Sequence, residues 1–417
     1  MRMDIEQLAR QGGFEYDMDT SVLAMPVTGR GYTLKNAMVV QPMEGCDGDG
    51  DGAPGEYTYR RYRRFADGGA GLIWAEAISV RPEARANPRQ LMITEKNLDA
   101  YKRLTDIAHE RGAKIIAQLT HSGRWSRPVD KNAPIRATYN AALDERQGLD
   151  ADYPIATDDY LAALPEAFEK STRLAMEAGF DGVDVKACHL YLFSELLGAF
   201  EREGRYGGSY ENRTRILKES VAAAKSAVGK GILASRFNMY DGAAGPWGVG
   251  ENLAVDLSES LRLAKELEDM GVTLMNLTMG TPYYNPHVNR PYANGGYKPD
   301  ENPLEGVKRL LDGADAAQKA APGALCVATG YSYLGANAPY VAAARINGGG
   351  AKLAGFGRMA FAYPDFVNDI IAHGKMDAAK CCVTCSLCTK IMRAGGVVGC
   401  PVRDQEIYLS ELRRLTK

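Results

Sequence analysis

Five of the eight cysteines lie between Cys381 and Cys400, near the end of the chain. Two residues separate Cys382 from Cys385 and Cys385 from Cys388, and eleven residues separate Cys388 from Cys400. Four thiolates from one short segment are the ligand set of a [4Fe-4S] cluster. The spacing therefore predicts that Cys382, Cys385, Cys388 and Cys400 bind such a cluster, in a reducing compartment.

A structural zinc site is the alternative, because it needs the same four thiolates. Zinc ribbons favour two paired C-x2-C arms, whereas this segment has three closely spaced cysteines and one distant cysteine. The pattern therefore favours iron and sulfide. Cys381 is a fifth thiol beside this set, and the sequence leaves open whether it replaces Cys382 as a ligand.

Two polar residues stand at the ends of apolar runs that read as β-strands: Gln118 in residues 113–119 and Arg236 in residues 231–237. If both strands belong to one parallel barrel, both side chains reach the same mouth. Hydrogen-bonding groups there suit a polar heterocycle, and a fixed cation can stabilise negative charge that develops on it. Either residue could instead cap its strand or pair with a loop carboxylate.

A third group of residues is rich in glycine. One apolar run ends at Gly330, and the last run ends in the segment Gly355-Phe-Gly357-Arg358. Small residues after the seventh and eighth strands of a barrel leave backbone N–H groups accessible, and barrel enzymes commonly bind phosphate there. The pattern predicts a phosphate site.

Three chemically active groups lie within six residues at the end of another predicted strand: the ammonium of Lys186, the imidazole of His189 and the phenol of Tyr191. These groups could bind a substrate oxygen and deliver a proton. In the alternative interpretation, Lys186 is neutralised by Asp184 or Glu195, and Tyr191 only packs.

These residues must be positioned by the elements that precede them. Short apolar runs alternate with amphipathic helical stretches, which predicts parallel strands joined by helices. Eight such units predict a closed (β/α)8 TIM barrel, since an open doubly wound sheet would stop nearer about five or six strands. The predicted strands are residues 37–43, 71–77, 113–119, 181–186, 231–237, 271–277, 324–330 and 351–357.

Helices are predicted between the strands, for example over residues 97–112 and 160–179, each ending on a glycine. Long connections at 44–55, 120–157 and 278–302 follow strands, so they lie on the carboxyl face where barrel enzymes build active sites. We expect aromatic and basic residues of these connections to shape the pocket. They are Trp125, Tyr283, Tyr284 and Arg290.

The sequence predicts two regions, a barrel over residues 1–375 and a small cysteine-rich iron-sulfur segment over residues 376–417. One further motif is set aside: Asp47, Asp49 and Asp51 match the first half of a calcium-binding loop, but Thr58 occupies the position of its bidentate glutamate. We expect a solvated loop there.

Composition narrows the class of protein. The chain has 417 residues, of which 45% are hydrophobic and 24% charged, with a net charge of -2. These values are typical of a globular protein and give no electrostatic attraction for nucleic acid. The sequence has neither a secretory signal nor a membrane-spanning run, so we expect a cytoplasmic protein with no membrane partner. The sequence does not indicate whether the protein forms oligomers.

Several segments together resemble the flavin-dependent old yellow enzymes, in particular their iron-sulfur branch of 2,4-dienoyl-CoA reductase, 2-enoate reductases and trimethylamine dehydrogenase. The resemblance covers about residues 30 to 402, and its specificity lies in the combination of the motifs with the cysteine cluster. The segments are LKNAMVVQPM, RRFADGGAGLIWAEA, QLTHSGRW, GFDGVDVKACHLYLFSELL, RYGGSYENRTR and GFGRMAFAYP.

The resemblance implies FMN bound across the barrel mouth by three sets of residues. They are Pro42, Met43 and Ala75 along the isoalloxazine ring, Gln118 and Arg236 at its pyrimidine edge, and Gly330, Gly357 and Arg358 at the phosphate. It also implies that Tyr191 is the proton donor and that Lys186 and His189 hold the substrate oxygen, at the place of the family's H-x-x-H or H-x-x-N pair. An ammonium in place of the first imidazole favours a carboxylate or a strongly polarised carbonyl.

The function predicted in this way is the reduction of an activated C=C bond in a small unsaturated substrate, an enoate, enone or enoyl thioester. The alternatives are a dehydrogenase of amines or similar donors that passes electrons to the cluster, and a non-catalytic electron-transfer or scaffold subunit. Only 17 residues follow Cys400, and no G-x-G-x-x-G motif follows a strand. We therefore expect electrons to come from a separate donor protein or reductase.

Overall fold

The computed structural model describes residues 3–127, 135–293 and 295–416. Eight parallel strands close into a barrel in the order β10-β3-β4-β5-β6-β7-β8-β9, which confirms the predicted (β/α)8 TIM barrel. Each barrel strand lies within or overlaps one of the predicted runs. The strands are β1 Val27–Gly29, β2 Tyr32–Leu34, β3 Met38–Val40, β4 Leu72–Ser79, β5 Lys114–Thr120, β6 Gly182–Val185, β7 Ile232–Asn238, β8 Leu274–Thr278, β9 Leu325–Ala328 and β10 Leu353–Phe356.

Helices cover the outside of the barrel and extend beyond it at the carboxyl end of the chain. No helix among the described residues is both long and apolar enough to cross a membrane. The α-helices are α1 Ile5–Gly12, α2 Ser21–Ala24, α3 Glu56–Asp67, α4 Leu98–His109, α5 Ala141–Gln147, α6 Asp158–Ala162, α7 Leu164–Glu177, α8 Leu192–Leu197, α9 Tyr210–Val228, α10 Ser258–Asp269, α11 Pro303–Ala320, α12 Ala338–Asn347, α13 Arg358–Ala362, α14 Phe366–His373, α15 Leu387–Arg393 and α16 Gln405–Leu415.

The apolar residues form an inner and an outer layer because side chains alternate along each strand. Val39 and Leu72 belong to the cluster inside the barrel, whereas Met38 and Val40 belong to the cluster between strands and helices. The hairpin of β1 and β2 adds Leu34 to the inner cluster, and Tyr32 donates its hydroxyl to the carbonyl of Thr273, just before β8. The hairpin therefore covers the amino end of the barrel, which leaves the carboxyl end for a site.

Strand β4 contains a β-bulge. Trp74 pairs with Ile116 and Ala77 pairs with Gln118, so Ala75 and Glu76 together face the single residue between those partners. A bulge of this kind changes the direction in which later side chains point. Ala77 is thereby directed towards the carboxyl mouth, while Glu76 is directed outwards against helix α3.

The carboxyl-terminal segment packs on the barrel as part of the same core, which includes Cys381 and Val398. Asp404 forms ion pairs with Arg60, at 2.7 Å, and with Arg64, both on α3. The division into regions 1–375 and 376–417 remains a prediction, and the described contacts place the second region against the rim of the barrel.

Candidate active site at the carboxyl mouth of the barrel

The carboxyl ends of the strands surround two adjoining cavities. The free volume is about 130 Å³ in the first and about 120 Å³ in the second, and both open to solvent. Ten of the residues predicted to bind the flavin or the substrate line them. Pro42, Met43, Gln118, Lys186, His189, Tyr191 and Arg236 line the first cavity, and Gly330, Gly357 and Arg358 line the second.

Ala75 is the exception and corrects the expectation that it lines the flavin ring. The structure buries Ala75 completely in the outer hydrophobic layer. The bulge in β4 is the physical reason, because Ala75 and Glu76 share one position of the ladder and Ala77 takes the inward direction. Ala77 lines the first cavity in its place.

Asp184, on β6, fixes the polar residues at the base of the first cavity. One of its carboxylate oxygens accepts hydrogen bonds from Gln118 Nε2 at 2.7 Å and Trp74 Nε1 at 2.8 Å, and the other accepts from the amide of Arg236 at 2.6 Å. Burial raises the pKa of Asp184, while these donors oppose the shift. The amide of Gln118 is thus held in place where a ring edge would meet it.

Several buried polar atoms that line the cavities have no hydrogen-bond partner among the described residues. Buried polar groups are usually paired in folded proteins, so these atoms are available to a polar ligand in the cavities. The atoms are Gln41 Nε2, His189 Nε2, Arg236 Nε, Arg290 Nε and Arg358 Nη1. The donor set fits FMN, whose ring edge and phosphate both accept hydrogen bonds.

The second cavity has the features of a phosphate site. Gly330 has φ 113°, a conformation that disfavours any residue with a Cβ. A Cβ on Gly357 would lie 3.1 Å from Met43 Sδ. Arg358 is held by a 2.9 Å hydrogen bond from its Nη2 to the carbonyl of Pro291.

The turn after β6 carries the three candidate catalytic residues. His189 and Leu190 both have left-handed backbone angles, φ 68° and 55°, which cost about 1–3 kcal/mol each. These two residues reverse the chain after β6, and Tyr191 follows them immediately before α8. Asn238 supports the turn by accepting a hydrogen bond from the amide of His189 at 3.1 Å.

Lys186 and His189 are both buried. Burial lowers the pKa of Lys186, and burial together with Arg236 and Lys186 holds the pKa of His189 well below its ordinary value. His189 is therefore a neutral imidazole. The Lys186 ammonium lies 3.7 Å from the centre of the Tyr191 ring.

Neither partner proposed for Lys186 forms an ion pair with it among the described residues, although the charge of Asp184 raises the pKa of Lys186 and opposes the effect of burial. Asp184 uses its carboxylate on the neighbouring donors already described. Glu195 forms an ion pair with Arg124 and accepts a hydrogen bond from the amide of Ala137 at 3.3 Å.

Tyr191 has two hydroxyl partners at the cavity wall. Its oxygen lies 3.2 Å from Glu44 Oε1, to which it donates, and 3.1 Å from the hydroxyl of Tyr283. Trp125 stacks on Tyr283 with ring centres 4.0 Å apart. Sequence analysis missed Glu44, and the only available signal was its place as the first residue of the connection after a barrel strand.

The cysteine-rich segment forms one wall of the first cavity, through Cys388, Thr389, Met392 and Val398. Next to it, a small cavity of about 20 Å³ is lined by Cys382, Cys385, Cys388 and Cys400, together with Arg358. The structure thus brings the four predicted ligands together, and Cys388 borders both cavities.

No three His, Cys, Asp or Glu side chains in the described parts of the chain converge as ligands of a single metal ion. The preference for an iron-sulfur cluster over zinc therefore stays a prediction from the spacing of the cysteines. Cys381 lies outside this cavity, and its thiol donates to the carbonyl of Asp377 at 3.3 Å.

The fold and this mouth define a flavin-dependent oxidoreductase on a TIM barrel. The chain belongs to the NADH:flavin oxidoreductase / NADH oxidase family, whose family model matches residues 23–290. It is 31% identical over 255 residues to the NADPH dehydrogenase of Halalkalibacterium halodurans, which covers 60% of this chain and 71% of that protein. It is 32% identical over 204 residues to 12-oxophytodienoate reductase 1 of Oryza sativa subsp. japonica, which covers 47% and 53% respectively.

Solved structures share the fold at lower identity. A complex of 2-naphthoyl-CoA reductase with 2-naphthoyl-CoA has a TM-score of 0.74 at 20% identity, over 94% of this chain and 58% of that one. Histamine dehydrogenase from Rhizobium sp. 4-9 has a TM-score of 0.73 at 20% identity, over 93% and 53%. The chain therefore spans little more than half the length of these two structures. Family membership makes it an enzyme that uses FMN.

Proposed function

We propose that the protein is an FMN- and [4Fe-4S]-dependent reductase of activated C=C bonds. The observation that carries the proposal is that Lys186, His189 and Tyr191 line the same cavity as Gln118 and Arg236. When bound there, reduced FMN would supply the hydride for the β-carbon of the alkene. The chain's own residues would then supply the binding of the activating group and the proton.

Lys186 and His189 have the chemistry to hold the activating oxygen. The neutral imidazole of His189 has a buried Nε2 without a partner among the described residues, so it can donate one hydrogen bond without a charge of its own. The Lys186 side chain adds a second hydrogen-bond donor for the same oxygen. Together they would stabilise negative charge on the oxygen as the hydride arrives.

Tyr191 is the candidate acid for the α-carbon. Burial, followed by the charge of Glu44, raises its pKa well above its ordinary value, so the phenol stays protonated until a stronger base forms beside it. Its hydroxyl lies at the wall of the cavity, within reach of a substrate bound against Lys186 and His189. A positioned acid of this kind contributes about 10² to 10⁴ in rate.

Charge at the mouth favours a carboxylate or thioester over a neutral enone. Lys186, Arg236 and Arg290 line the first cavity, against the single carboxylate of Glu44. An open groove of about 1440 Å³ continues from it past further cations, Arg146, Lys390 and Arg393. The same cations oppose an amine substrate, so the described residues give no support to the amine dehydrogenase alternative.

The cluster would connect the surface with the flavin. Cys385 lines the open groove, and Cys388 lines the flavin cavity. A cluster held by these cysteines would supply one-electron transfer between the two cavities, and the cationic groove would be the docking surface of a separate electron-donor protein. The cations suit a donor with an acidic surface.

The decisive experiment begins with protein purified without oxygen. We expect iron, sulfide and FMN in the ratio of one cluster and one flavin per chain. The chemically reduced enzyme is then mixed with an enoate, a cyclic enone and an enoyl-CoA thioester while the flavin absorbance is followed. Rapid reoxidation by the charged substrates is expected. Zinc in place of iron would refute the cluster, and a reduced flavin inert to all three would refute the reductase.

A further inference from the structure

Glu44 is the only carboxylate among the described residues that line the first cavity. It has no part in the hydride or proton transfer proposed above. It is the fourth residue after the end of β3, lies half-buried at the wall of the first cavity, and accepts a hydrogen bond from the hydroxyl of Tyr191 at 3.2 Å. A carboxylate in contact with a proposed acid can supply or remove its proton.

The backbone around Glu44 is held from two sides. The amide of Gly45 donates to Glu76 Oε2 at 2.8 Å, and the carbonyl of Gly45 accepts the amide of Val398 at 2.8 Å. Glu76 is available for this contact because the bulge in β4 turns it outwards, where it also pairs with Arg61. Glu44 is thus a fixed group of the site, in contrast to a loop residue that merely points into water.

The proposed reaction creates a need for such a group. After Tyr191 gives its proton to the substrate, the oxygen of Tyr191 carries a negative charge that must be cancelled before the next turnover. Tyr191 is only 3% exposed, so bulk water has little direct access to it. Glu44 contacts Tyr191 and is itself partly exposed in an open cavity.

We propose that Glu44 is the proton relay between solvent and Tyr191, an inference that rests on the proposed function. As the C–H bond forms at the α-carbon, the O–H bond of Tyr191 breaks. The Glu44 carboxylate then takes a proton from a hydronium ion at the cavity mouth. As this new O–H bond of Glu44 breaks, the O–H bond of Tyr191 re-forms and Glu44 is again a carboxylate. One solvent proton thus enters the product for each hydride.

Carboxylic acids suit this role because they are stronger acids than phenols by about six pKa units, which makes the transfer from Glu44 to Tyr191 favourable. Tyr283 also contacts the Tyr191 hydroxyl, but as a phenol it has no such advantage. The third group that faces Tyr191, the ammonium of Lys186, lies over the ring and not at the hydroxyl.

The test separates one turnover from many. Glu44→Gln keeps the size of the side chain and removes the transferable proton. In a single turnover of pre-reduced enzyme with an enoate, it should react within about threefold of the parent, because Tyr191 starts protonated. In steady state its turnover should be slower by about 10-fold or more, because Tyr191 is not reprotonated quickly.

Controls place the effect at Glu44. Asp49→Asn neutralises an exposed carboxylate of the same connection and should match the parent in both measurements. Glu44→Ala should be slow in steady state and should recover when formate is added as a mobile acid. The relay would be overturned if Glu44→Gln lowered the single-turnover rate and the steady-state rate equally, or if it left the steady-state rate unchanged.

A readout that does not depend on turnover completes the test. Protein labelled with 3-fluorotyrosine, whose phenol is more acidic, allows the Tyr191 signal to be titrated by fluorine NMR and identified by its absence in Tyr191→Phe. Loss of the Glu44 charge should lower the Tyr191 pKa, whereas an unchanged titration would overturn the contact. If instead Tyr191→Phe reacts normally in a single turnover, the proposed function fails at its acid, and the relay fails with it.

Discussion

The amide of Val398 donates a hydrogen bond to the carbonyl of Gly45 at 2.8 Å. This contact joins the cysteine-rich segment to the connection that carries Glu44, at the opposite end of the chain. On the other side of the cavity, Arg393 Nη2 donates to the carbonyl of Pro282 at 2.9 Å, next to Tyr283. The segment therefore supports both walls of the mouth, and the state of its cysteines should affect the whole site.

The first prediction follows from this support. Cys385→Ala should remove the cluster, loosen residues 382–400 and weaken the contact with Gly45, because a metal site contributes its binding energy to local folding. Iron analysis and amide hydrogen exchange measure both effects, with faster exchange expected at residues 44–47 as well. Cys381→Ser is the matched control and should keep full iron, since Cys381 lies outside the four-thiol cavity. Full iron in the Cys385→Ala protein would contradict the assignment.

The second prediction concerns Tyr191. Tyr191→Phe should lower turnover by about 10² to 10⁴ and leave substrate affinity almost unchanged, because the phenol acts only when the α-carbon accepts a proton. Stopped-flow reoxidation of the reduced flavin over a range of substrate concentrations separates the two quantities. A raised dissociation constant with normal turnover would show that Tyr191 binds the substrate.

The third prediction concerns Lys186, which would contact the substrate oxygen in both the ground state and the transition state. Lys186→Ala should therefore raise KM and lower kcat together, most strongly for carboxylates and thioesters. Lys186→His should retain activity and shift preference towards neutral enones, because imidazole carries less charge near neutral pH. Lys170→Ala, on the outer surface, serves as the control. A kinetically silent Lys186→Ala would place the oxygen elsewhere.

The fourth prediction is a pH dependence of stability. Asp241 accepts a 2.6 Å hydrogen bond from Asn238 Nδ2, and Asn238 supports His189. Burial raises the pKa of Asp241 to about 7. The native state therefore binds more protons than the unfolded chain between about pH 4 and this value, so the contribution is fully present at low pH and is lost as the pH rises to about 7.

Asp241→Asn should flatten this part of the profile. In the parent, the group should account for a loss of roughly 1–4 kcal/mol of unfolding free energy across that range, at about 1.4 kcal/mol for each pKa unit. Urea unfolding at several pH values measures it, with Asp49→Asn as an exposed control. The same slope in the parent and in Asp241→Asn would assign the dependence to other groups.

The barrel was predictable because each strand is a short apolar run that can be recognised from its own residues. Gly330 and Gly357 were found because glycine after a strand is itself a local signal. Of the two helices predicted with bounds, the second differs at a joint: residues 160–179 form the end of α6 and then α7, which begins at Leu164 with Pro165 next to it. Proline lacks the N–H that a continuous helix needs, so it starts a new helix.

Features that depend on pairing between distant residues were not predictable. The bulge that exchanges Ala75 for Ala77 is a matter of register with β5, and register is invisible in one strand alone. Glu44 and Tyr191 are 147 residues apart in the sequence, and only the closed barrel brings them into contact. The hairpin of β1 and β2 was missed because strands of three residues are too short to show alternation.

The left-handed turn at His189 and Leu190 has a consequence for protein engineering. Replacing Leu190 by glycine would relieve the steric cost of its backbone, yet Leu190 also packs with Trp125 and Tyr191, and its carbonyl accepts the Trp125 indole at 3.0 Å. Selection for thermostability would favour substitutions that relax the backbone of this turn. Such substitutions would move His189 and Tyr191 away from the cavity. Heat resistance and catalytic speed are therefore opposed at this one position of the fold.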